Sequence, residues 1–338
     1  MARSVLIVRL GALGDLVHAL PAVAALREVW PDARIDWLVD ERYQALLAFV
    51  PVVDRVVVLG KTAASRLGLV RSLRQTRYEV ALDLQGLIKS AVLARLSGAR
   101  DVVGFATPLL RERVARLCYT RQGDDDDTGH VIEKNVRLLR LLGVAPESRV
   151  FPLRVPASPV VEQVRRALGI GEGDRFAVIN PGAGWPNKRW PPDRFGEVAH
   201  RLAQRHGLPS VVLWGPGEQS LADEVTAASR GAARLAPPTG LGDVLALLGA
   251  AALFVAGDTG PLQLAAALGT PIVGIFGPTN PLRNGPWSQA DVAVSRFERC
   301  ECHHKRRCRR PELCVHTIGV DEMMQAVDDR CERVTSRG

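Results

Sequence analysis

Short apolar runs alternate with amphipathic stretches along this sequence, and that alternation restricts the folds it can adopt. The apolar runs are continuous, as expected for strands that are buried on both faces. In the first half, strands are predicted at residues 5–10, 34–39, 56–59 and 80–84, and helices at residues 16–29 and 87–96. Strands and helices in this order form a parallel sheet with helices on both faces.

The same pattern starts again after a proline-rich segment. Residues 150–159 contain three prolines and predict a linker. Beyond it, strands are predicted at residues 176–180, 210–214, 252–256 and 271–276, and helices at residues 193–206, 221–229, 242–248 and 262–268. The sequence therefore predicts an α/β protein with two Rossmann-like, doubly wound domains that face a central cleft. These domains are residues 1–155 and 160–318, and a C-terminal helical segment, residues 319–338, follows them. Ligands of such domains bind at the carboxyl ends of the strands.

Length and charge agree with this division. The 338 residues suit two domains of roughly 100–200 residues each. The net charge of +8 is uneven: residues 1–155 hold 23 basic and 17 acidic side chains, and residues 296–310 alone have a net charge of +5. We therefore expect the first half to meet an anionic partner.

The sequence predicts neither a membrane span nor a secreted protein. The longest uncharged stretch, residues 259–282, is broken by prolines and glycines, whereas a spanning helix needs roughly 20 continuous apolar residues. The first residues lack the pattern of a signal peptide, and six cysteines in a chain of this length do not predict a disulfide framework. We expect a cytoplasmic protein, with a membrane surface as one site of action.

The first motif, RLGALGD at residues 9–15, joins a predicted strand to a predicted helix. It lacks the Gly-Lys-Ser/Thr of a phosphate-binding P-loop and the G-x-G-x-x-G spacing of a dinucleotide site. Asp15 places a carboxylate where the strand passes into the helix. Such a carboxylate serves either as a helix cap or as a general base, and the residues alone leave both interpretations open.

The second motif, NPGAGWPNKRWP at residues 180–191, is a glycine-rich turn after a strand. Backbone N–H groups and a helix N-terminus supply partial positive charge there, and Lys188 supplies a full one. The motif favours an anionic ligand such as a phosphate. The alternative is a solvated lysine in a proline-rich loop.

The third motif, GDTGP at residues 257–261, also stands at a strand end. Free N–H groups at the start of the next helix suit a phosphate, and Asp258 suits a sugar hydroxyl. Glu218, in the neighbouring GPGE loop, is placed to accept hydrogen bonds from ribose. Plain helix capping by Asp258 is the alternative.

The fourth motif is a cysteine-rich loop, residues 296–316, that contains three histidines. Its four cysteines, Cys300, Cys302, Cys308 and Cys314, are candidate ligands for zinc or iron. Their spacing is not the paired C-x2-C of a zinc ribbon, so a structural or redox-labile loop is the other interpretation.

Taken together, these motifs resemble the ADP-heptose:lipopolysaccharide heptosyltransferases, which form glycosyltransferase family 9 and have the GT-B fold. The resemblance rests on LIVRLGALGDLVHALPAVAALREVWPDARIDWLVDE, ALDLQGLIKSAVLARLSGARDVVGF, HVIEKNVRLLRLLGV, NPGAGWPNKRWPPDRF and VAGDTGPLQLAAALGTPIVGIFGPTNP, in that order. It covers nearly the whole chain. The combination is far more specific than any single motif.

The resemblance implies roles for individual residues. Asp15 matches the catalytic base of the family, Lys188 matches the lysine on the diphosphate side of the sugar donor, and Glu218 matches a contact to the nucleotide ribose. Other residues expected at the sugar donor are Gly182, Gly184, Asp258, Thr259, Gly260 and Gln263. Residues expected on the acceptor side are Arg9, Gly14, His18 and Lys89.

Gln263 departs from the family pattern, because members usually have histidine at this position. Glutamine still donates a hydrogen bond, but it cannot carry a proton. A different nucleotide sugar therefore stays open as the donor.

The predicted function is inverting, metal-independent transfer of a heptose from ADP-heptose to an anionic lipopolysaccharide core or a related glycan. No cofactor is expected, and the partners are a nucleotide sugar, an anionic glycolipid and, by peripheral contact, the cytoplasmic face of the inner membrane. One alternative is a GT-B-like transferase or epimerase that uses another nucleotide sugar. A remote alternative is a non-enzymatic protein that binds an anionic polymer, although we expect no nucleic-acid partner.

Overall fold

The computed structural model describes residues 3–335. The chain divides into two compact units, with the boundary between Arg154 and Val155 inside the proline-rich segment. The last three residues of the predicted segment 319–338 lie outside the described part.

The first unit is built on a six-stranded, all-parallel sheet with the strand order β3-β2-β1-β4-β5-β6. Its strands are β1 (Ser4–Val8), β2 (Arg34–Asp40), β3 (Arg55–Leu59), β4 (Val80–Asp83), β5 (Asp101–Gly104) and β6 (Arg121–Gln122). Its helices are α1 (Leu13–Val29), α2 (Gln44–Leu47), α3 (Ala63–Thr76), α4 (Ile88–Leu96) and α5 (Val131–Arg137). Val5, Leu6, Ile7 and Val8 of β1 are completely buried, which explains why this strand is a continuous apolar run.

The second unit repeats this plan with the order β12-β11-β10-β7-β8-β9, again all parallel. Its strands are β7 (Ala177–Asn180), β8 (Ser210–Val212), β9 (Ala233–Leu235), β10 (Leu253–Gly257), β11 (Ile272–Phe276) and β12 (Val292–Ser295). Its helices are α6 (Val160–Leu168), α7 (Pro192–His206), α8 (Gln219–Ala228), α9 (Leu241–Ala250), α10 (Gly260–Leu268), α11 (Pro281–Asn284) and α12 (Val320–Thr335). Trp190 and Phe195 pack edge to face in its core, with ring centroids 4.9 Å apart.

The prediction of two doubly wound α/β domains is confirmed. Counted within each unit, both sheets have the strand order 3-2-1-4-5-6, so the order reverses between the first and fourth strands. Such a reversal opens a crevice at the carboxyl ends of those two strands. Within the described residues, no helix is both long enough and apolar enough to span a membrane.

Candidate active site

In each unit, the predicted motifs lie at the reversal of strand order. The RLGALGD loop follows β1, next to β4, while the glycine-rich turn and the Asp258 loop follow the adjacent strands β7 and β10. These are the places where a doubly wound sheet binds ligands.

The loop after β1 is fixed by hydrogen bonds to neighbouring strand ends. Arg9 donates to the carbonyl of Leu84, and the Leu10 N–H donates to Gln85 Oε1 at 2.7 Å. The ring of Tyr43 covers Gly11 so closely that a Cβ there would lie 2.4 Å from it. Any other residue at this turn would therefore displace the Tyr43 ring.

Asp15 lies in the first turn of α1 and is partly exposed. Its Oδ2 accepts the Ala12 N–H at 3.1 Å and is 2.9 Å from an Arg9 guanidinium nitrogen. Ala12, not Asp15, is the N-cap residue, yet the carboxylate does satisfy a backbone donor at the helix start. Because the Asp15 side chain is 36% exposed, it is also accessible to a hydroxyl group.

The other residues expected on the acceptor side differ in accessibility. Gly14 is partly exposed in the first turn of α1, and Lys89 is exposed in the first turn of α4. A hydrogen bond from Arg42, with a smaller effect of the Lys89 charge, lowers the pKa of Asp40 at the end of β2. His18 is only 3% exposed, edge-on to His130, which favours a packing role for it.

A buried carboxylate beside this loop was missed by the sequence reasoning. Asp83, completely buried at the end of β4, accepts hydrogen bonds from the Gln85 N–H at 2.9 Å, Ser90 Oγ at 2.9 Å and the Tyr119 hydroxyl at 2.8 Å. Burial raises its pKa. Asp83 fixes the loop that carries Gln85. An aspartate directly after a buried strand was the signal that could have indicated it.

In the second unit, Lys188 and Asp258 form an ion pair that joins the loops after β7 and β10. Lys188 Nζ lies 2.5 Å from Asp258 Oδ2, and the two side chains are 13% and 11% exposed. The solvated-lysine alternative is therefore wrong. Capping by Asp258 is wrong too, since Thr259 is the N-cap residue of α10 and accepts the Leu262 N–H at 3.3 Å.

Two further residues complete this pair and were not singled out from the sequence. The Thr279 hydroxyl donates to Asp258 Oδ2 at 2.6 Å, and Lys188 Nζ lies 4.5 Å from the centroid of the Trp185 ring. The lysine charge is thus flanked by a carboxylate and an aromatic face. Thr279 follows β11, the neighbour of β10, and that position was the available signal.

Glu218 lies directly against the glycine-rich turn. Its Oε2 accepts the Gly215 N–H at 3.1 Å, and a Cβ added to Gly182 would lie 2.1 Å from the same oxygen. Gly184 is exposed, with open space around it. The loops after β7 and β8 are therefore in contact at Gly182. A larger residue at this position would push the Glu218 carboxylate away.

Gln263 is only 4% exposed in the first turns of α10. Its Nε2 donates to the backbone carbonyl of Asn284 at 2.7 Å, which ties α10 to α11. Gly260 is the first residue of α10. Glutamine at position 263, where histidine was expected from the family pattern, therefore links α10 to α11 in this chain.

The cysteine-rich loop packs beside the Lys188 loop. Cys300 Sγ and Cys302 Sγ are 3.5 Å apart, and Asn187 donates to the carbonyl of Lys305 at 2.8 Å. Burial raises the pKa of Cys300 and of Cys314. Among residues 3–335, no three or more Cys, His, Asp or Glu side chains are grouped so that they could hold a metal ion, so the zinc or iron candidate set that includes Cys308 gains no support.

These arrangements divide the chemistry between the two units. The first unit offers an accessible carboxylate, Asp15, held by Arg9. The second offers the start of α10, with its backbone N–H groups, beside Lys188, which suits an anionic ligand.

The chain matches a known protein family. Residues 66–315 match the model described as glycosyltransferase family 9 (heptosyltransferase). Lipopolysaccharide heptosyltransferase 1 of Pseudomonas aeruginosa is 29% identical over 269 residues, which cover 76% of this chain and 73% of that protein.

Solved structures show the same fold. A family 9 glycosyl transferase from Veillonella parvula aligns with a TM-score of 0.81 and 22% identity, covering 98% of this chain and 97% of the other. The E. coli heptosyltransferase WaaC with ADP-2-deoxy-2-fluoro heptose aligns with a TM-score of 0.76 and 24% identity, covering 96% and 99%.

Proposed function

Because the chain belongs to glycosyltransferase family 9, the heptosyltransferase family, we propose that it moves a heptose from ADP-heptose to an anionic lipopolysaccharide core or a related glycan. The observation that carries this proposal is the Lys188–Asp258 pair beside the start of α10. The choice of donor and acceptor draws on relatives named as lipopolysaccharide heptosyltransferases and on one solved with an ADP-heptose analogue.

The second unit binds the sugar donor in this proposal. Lys188 and the N–H groups at Thr259 and Gly260 contact the diphosphate, where they stabilise the negative charge that develops on the leaving group. Gly182 and Gly184 let the backbone approach the diphosphate closely. Glu218 accepts hydrogen bonds from the ribose. Asp258 holds Lys188 in place, and Gln263 supports the start of α10 from behind.

Asp15 is the catalytic base. Its carboxylate takes the proton of the acceptor hydroxyl as the oxygen attacks the anomeric carbon. The new carbon–oxygen bond forms opposite the breaking bond to the diphosphate, whose electron pair leaves with ADP, so the configuration is inverted without a metal ion. Arg9 keeps the carboxylate oriented through its 2.9 Å contact.

The acceptor meets the first unit, whose basic excess suits a phosphorylated glycolipid. Lys89, exposed at the start of α4, supplies one positive charge toward it. We place the reaction at the cytoplasmic face of the inner membrane, with the protein in peripheral contact.

A thermal-shift screen of nucleotide sugars tests the identity of the donor. A ligand at 100 times its Kd stabilises a protein by about 2.7 kcal/mol, so ADP-heptose should raise the melting temperature clearly. The Lys188→Met variant should lose most of that rise. A rise with another nucleotide sugar and none with any ADP-sugar would contradict the donor assignment and favour the alternative opened by Gln263.

A further inference from the structure

One segment of the first unit is rich in positive charge. Residues 61–117 hold eleven basic and four acidic side chains, a net charge of +7 out of +8 for the whole chain. Of the four acids, Asp83 is buried, whereas Glu112 is exposed and accepts the Ile88 N–H at 2.7 Å. The segment is therefore strongly cationic where it meets solvent.

The same segment exposes an apolar stripe along α4. Ile88, Val92 and Leu96 are 42%, 38% and 37% exposed, and they follow one another at intervals of four residues. Residues spaced in this way lie on one face of a helix. The opposite face is buried through Ala91 and Ala94, so the stripe is a surface left uncovered by the unit itself.

A short 3-10 helix, Arg113–Cys118, extends this apolar surface. It packs on α4 through Ala115, which forms a small buried cluster with Ala91. Val114 and Leu117 are 61% and 72% exposed and share one side of the 3-10 helix, because side chains three residues apart eclipse there.

Arginines border the apolar residues on both elements. Arg113 and Arg116 are exposed on the neighbouring side of the 3-10 helix, and Arg95 is exposed beside Leu96 on α4. The α3 helix adjoins them, since Arg74 Nε donates to the carbonyl of Leu96 at 3.1 Å. That helix adds Leu67, 72% exposed, and contains no acidic residue.

We propose that this α4 face, meaning α4 with the 3-10 helix Arg113–Cys118 and the adjoining side of α3, docks the protein on an anionic lipid bilayer. Apolar side chains enter the boundary between headgroups and acyl chains, while arginines around them meet lipid phosphates. Charge complementarity selects this occupant, because the exposed apolar side chains of this face are bordered by cations.

The cysteine-rich loop is the rival membrane contact, because residues 296–310 carry a net charge of +5. In the described chain, however, no large apolar side chain of residues 296–316 is exposed. The cysteine-rich loop therefore offers positive charge but no exposed apolar side chain that could enter a bilayer. The α4 face offers positive charge and exposed apolar side chains.

This inference rests on the proposed function, which places the protein in peripheral contact with a membrane, and it assigns the surface that makes the contact. Its test uses vesicles that contain no acceptor and an assay without donor. Failure to bind vesicles would therefore leave the proposed transfer reaction untouched.

The experiment is co-sedimentation of the full chain with vesicles of phosphatidylcholine alone or with phosphatidylglycerol added. We expect binding to the anionic vesicles only, and at least tenfold weaker binding for Arg113→Gln/Arg116→Gln. Val92→Ser/Leu117→Ser should also lose at least tenfold. The matched control, Arg307→Gln/Arg309→Gln, removes the same charge from the cysteine-rich loop and should change binding less than twofold.

Three outcomes would overturn the proposal. The first is no binding of the wild-type protein to anionic vesicles. The second is loss of binding in the loop variant but not in the arginine variant of the α4 face. The third is a wild-type dimer in light scattering that becomes a monomer in Val92→Ser/Leu117→Ser, because a second copy of the chain would then cover this face. Melting curves of all variants exclude misfolding as the cause of a loss.

Discussion

At the scale of single residues, the site depends on contacts between positions that are far apart in the sequence. Lys188 and Asp258 were each predicted as ligand contacts from the loops that carry them, but their 2.5 Å ion pair joins residues 70 positions apart. No local pattern encodes such a pair. The same holds for Thr279, which donates to that carboxylate from a third loop. Sequence identifies which residues stand at strand ends, and only the fold determines which of them meet.

The Lys188–Asp258 pair should be energetically coupled, because both side chains are almost fully buried. Removing one partner leaves the other charge desolvated, so Lys188→Met or Asp258→Asn should each lower the free energy of unfolding by about 1–3 kcal/mol. A double-mutant cycle by urea denaturation should give a coupling of at least about 1 kcal/mol. The control pair, Lys61 and Glu41, is 79% and 47% exposed at 3.5 Å and should couple by less than about 0.5 kcal/mol. Equal coupling in the two pairs would contradict this account.

At the scale of elements, the sequence predicted the buried strands well and the peripheral elements poorly. The strands predicted at 34–39, 56–59 and 271–276 agree with β2, β3 and β11 within one residue at each end. The last two are continuous apolar runs, whereas β2 has Asp36 among its apolar residues. The polar helix α3 and the two-residue strand β6 carry no such signal and were not predicted. Their positions follow from packing against the finished sheet rather than from local pattern.

The contact between α7 and α8 gives an element-scale prediction. A Cβ on Gly196 of α7 would lie 2.4 Å from Ala228 Cβ and 2.7 Å from the backbone oxygen of Val225. The backbone of α8 cannot move aside unless α7 and α8 separate. Gly196→Ala should therefore destabilise the protein by about 1–3 kcal/mol. Urea denaturation measures the change.

The control is another helical glycine, Gly68 of α3, which has open space where a Cβ would be added. Gly68→Ala should raise stability by about 0.5–1 kcal/mol, since alanine is the better helix former. If both substitutions shifted stability in the same direction, close packing at Gly196 would not explain its presence.

At the scale of the whole molecule, the sequence was informative because the same strand order occurs twice. Each repeat brings its glycine-rich loop to a reversal of strand order, so the location of the candidate site was predictable from the order of elements alone. The uneven distribution of charge was visible in the sequence, but the sequence did not show which side chains are exposed. Only the structure combines the basic residues of 61–117 with the exposed apolar stripe of α4.

The most direct test of the central claim compares wild-type protein with Asp15→Asn in heptose transfer from ADP-heptose to a heptose-free lipopolysaccharide acceptor. The variant keeps the size of the side chain but cannot take a proton, so kcat should fall by roughly 100- to 10,000-fold. Its Kd for ADP-heptose should stay within about twofold, since the residues assigned to the sugar donor lie in the other unit. Turnover of Asp15→Asn within tenfold of wild type, or an equal loss of donor affinity, would contradict the account.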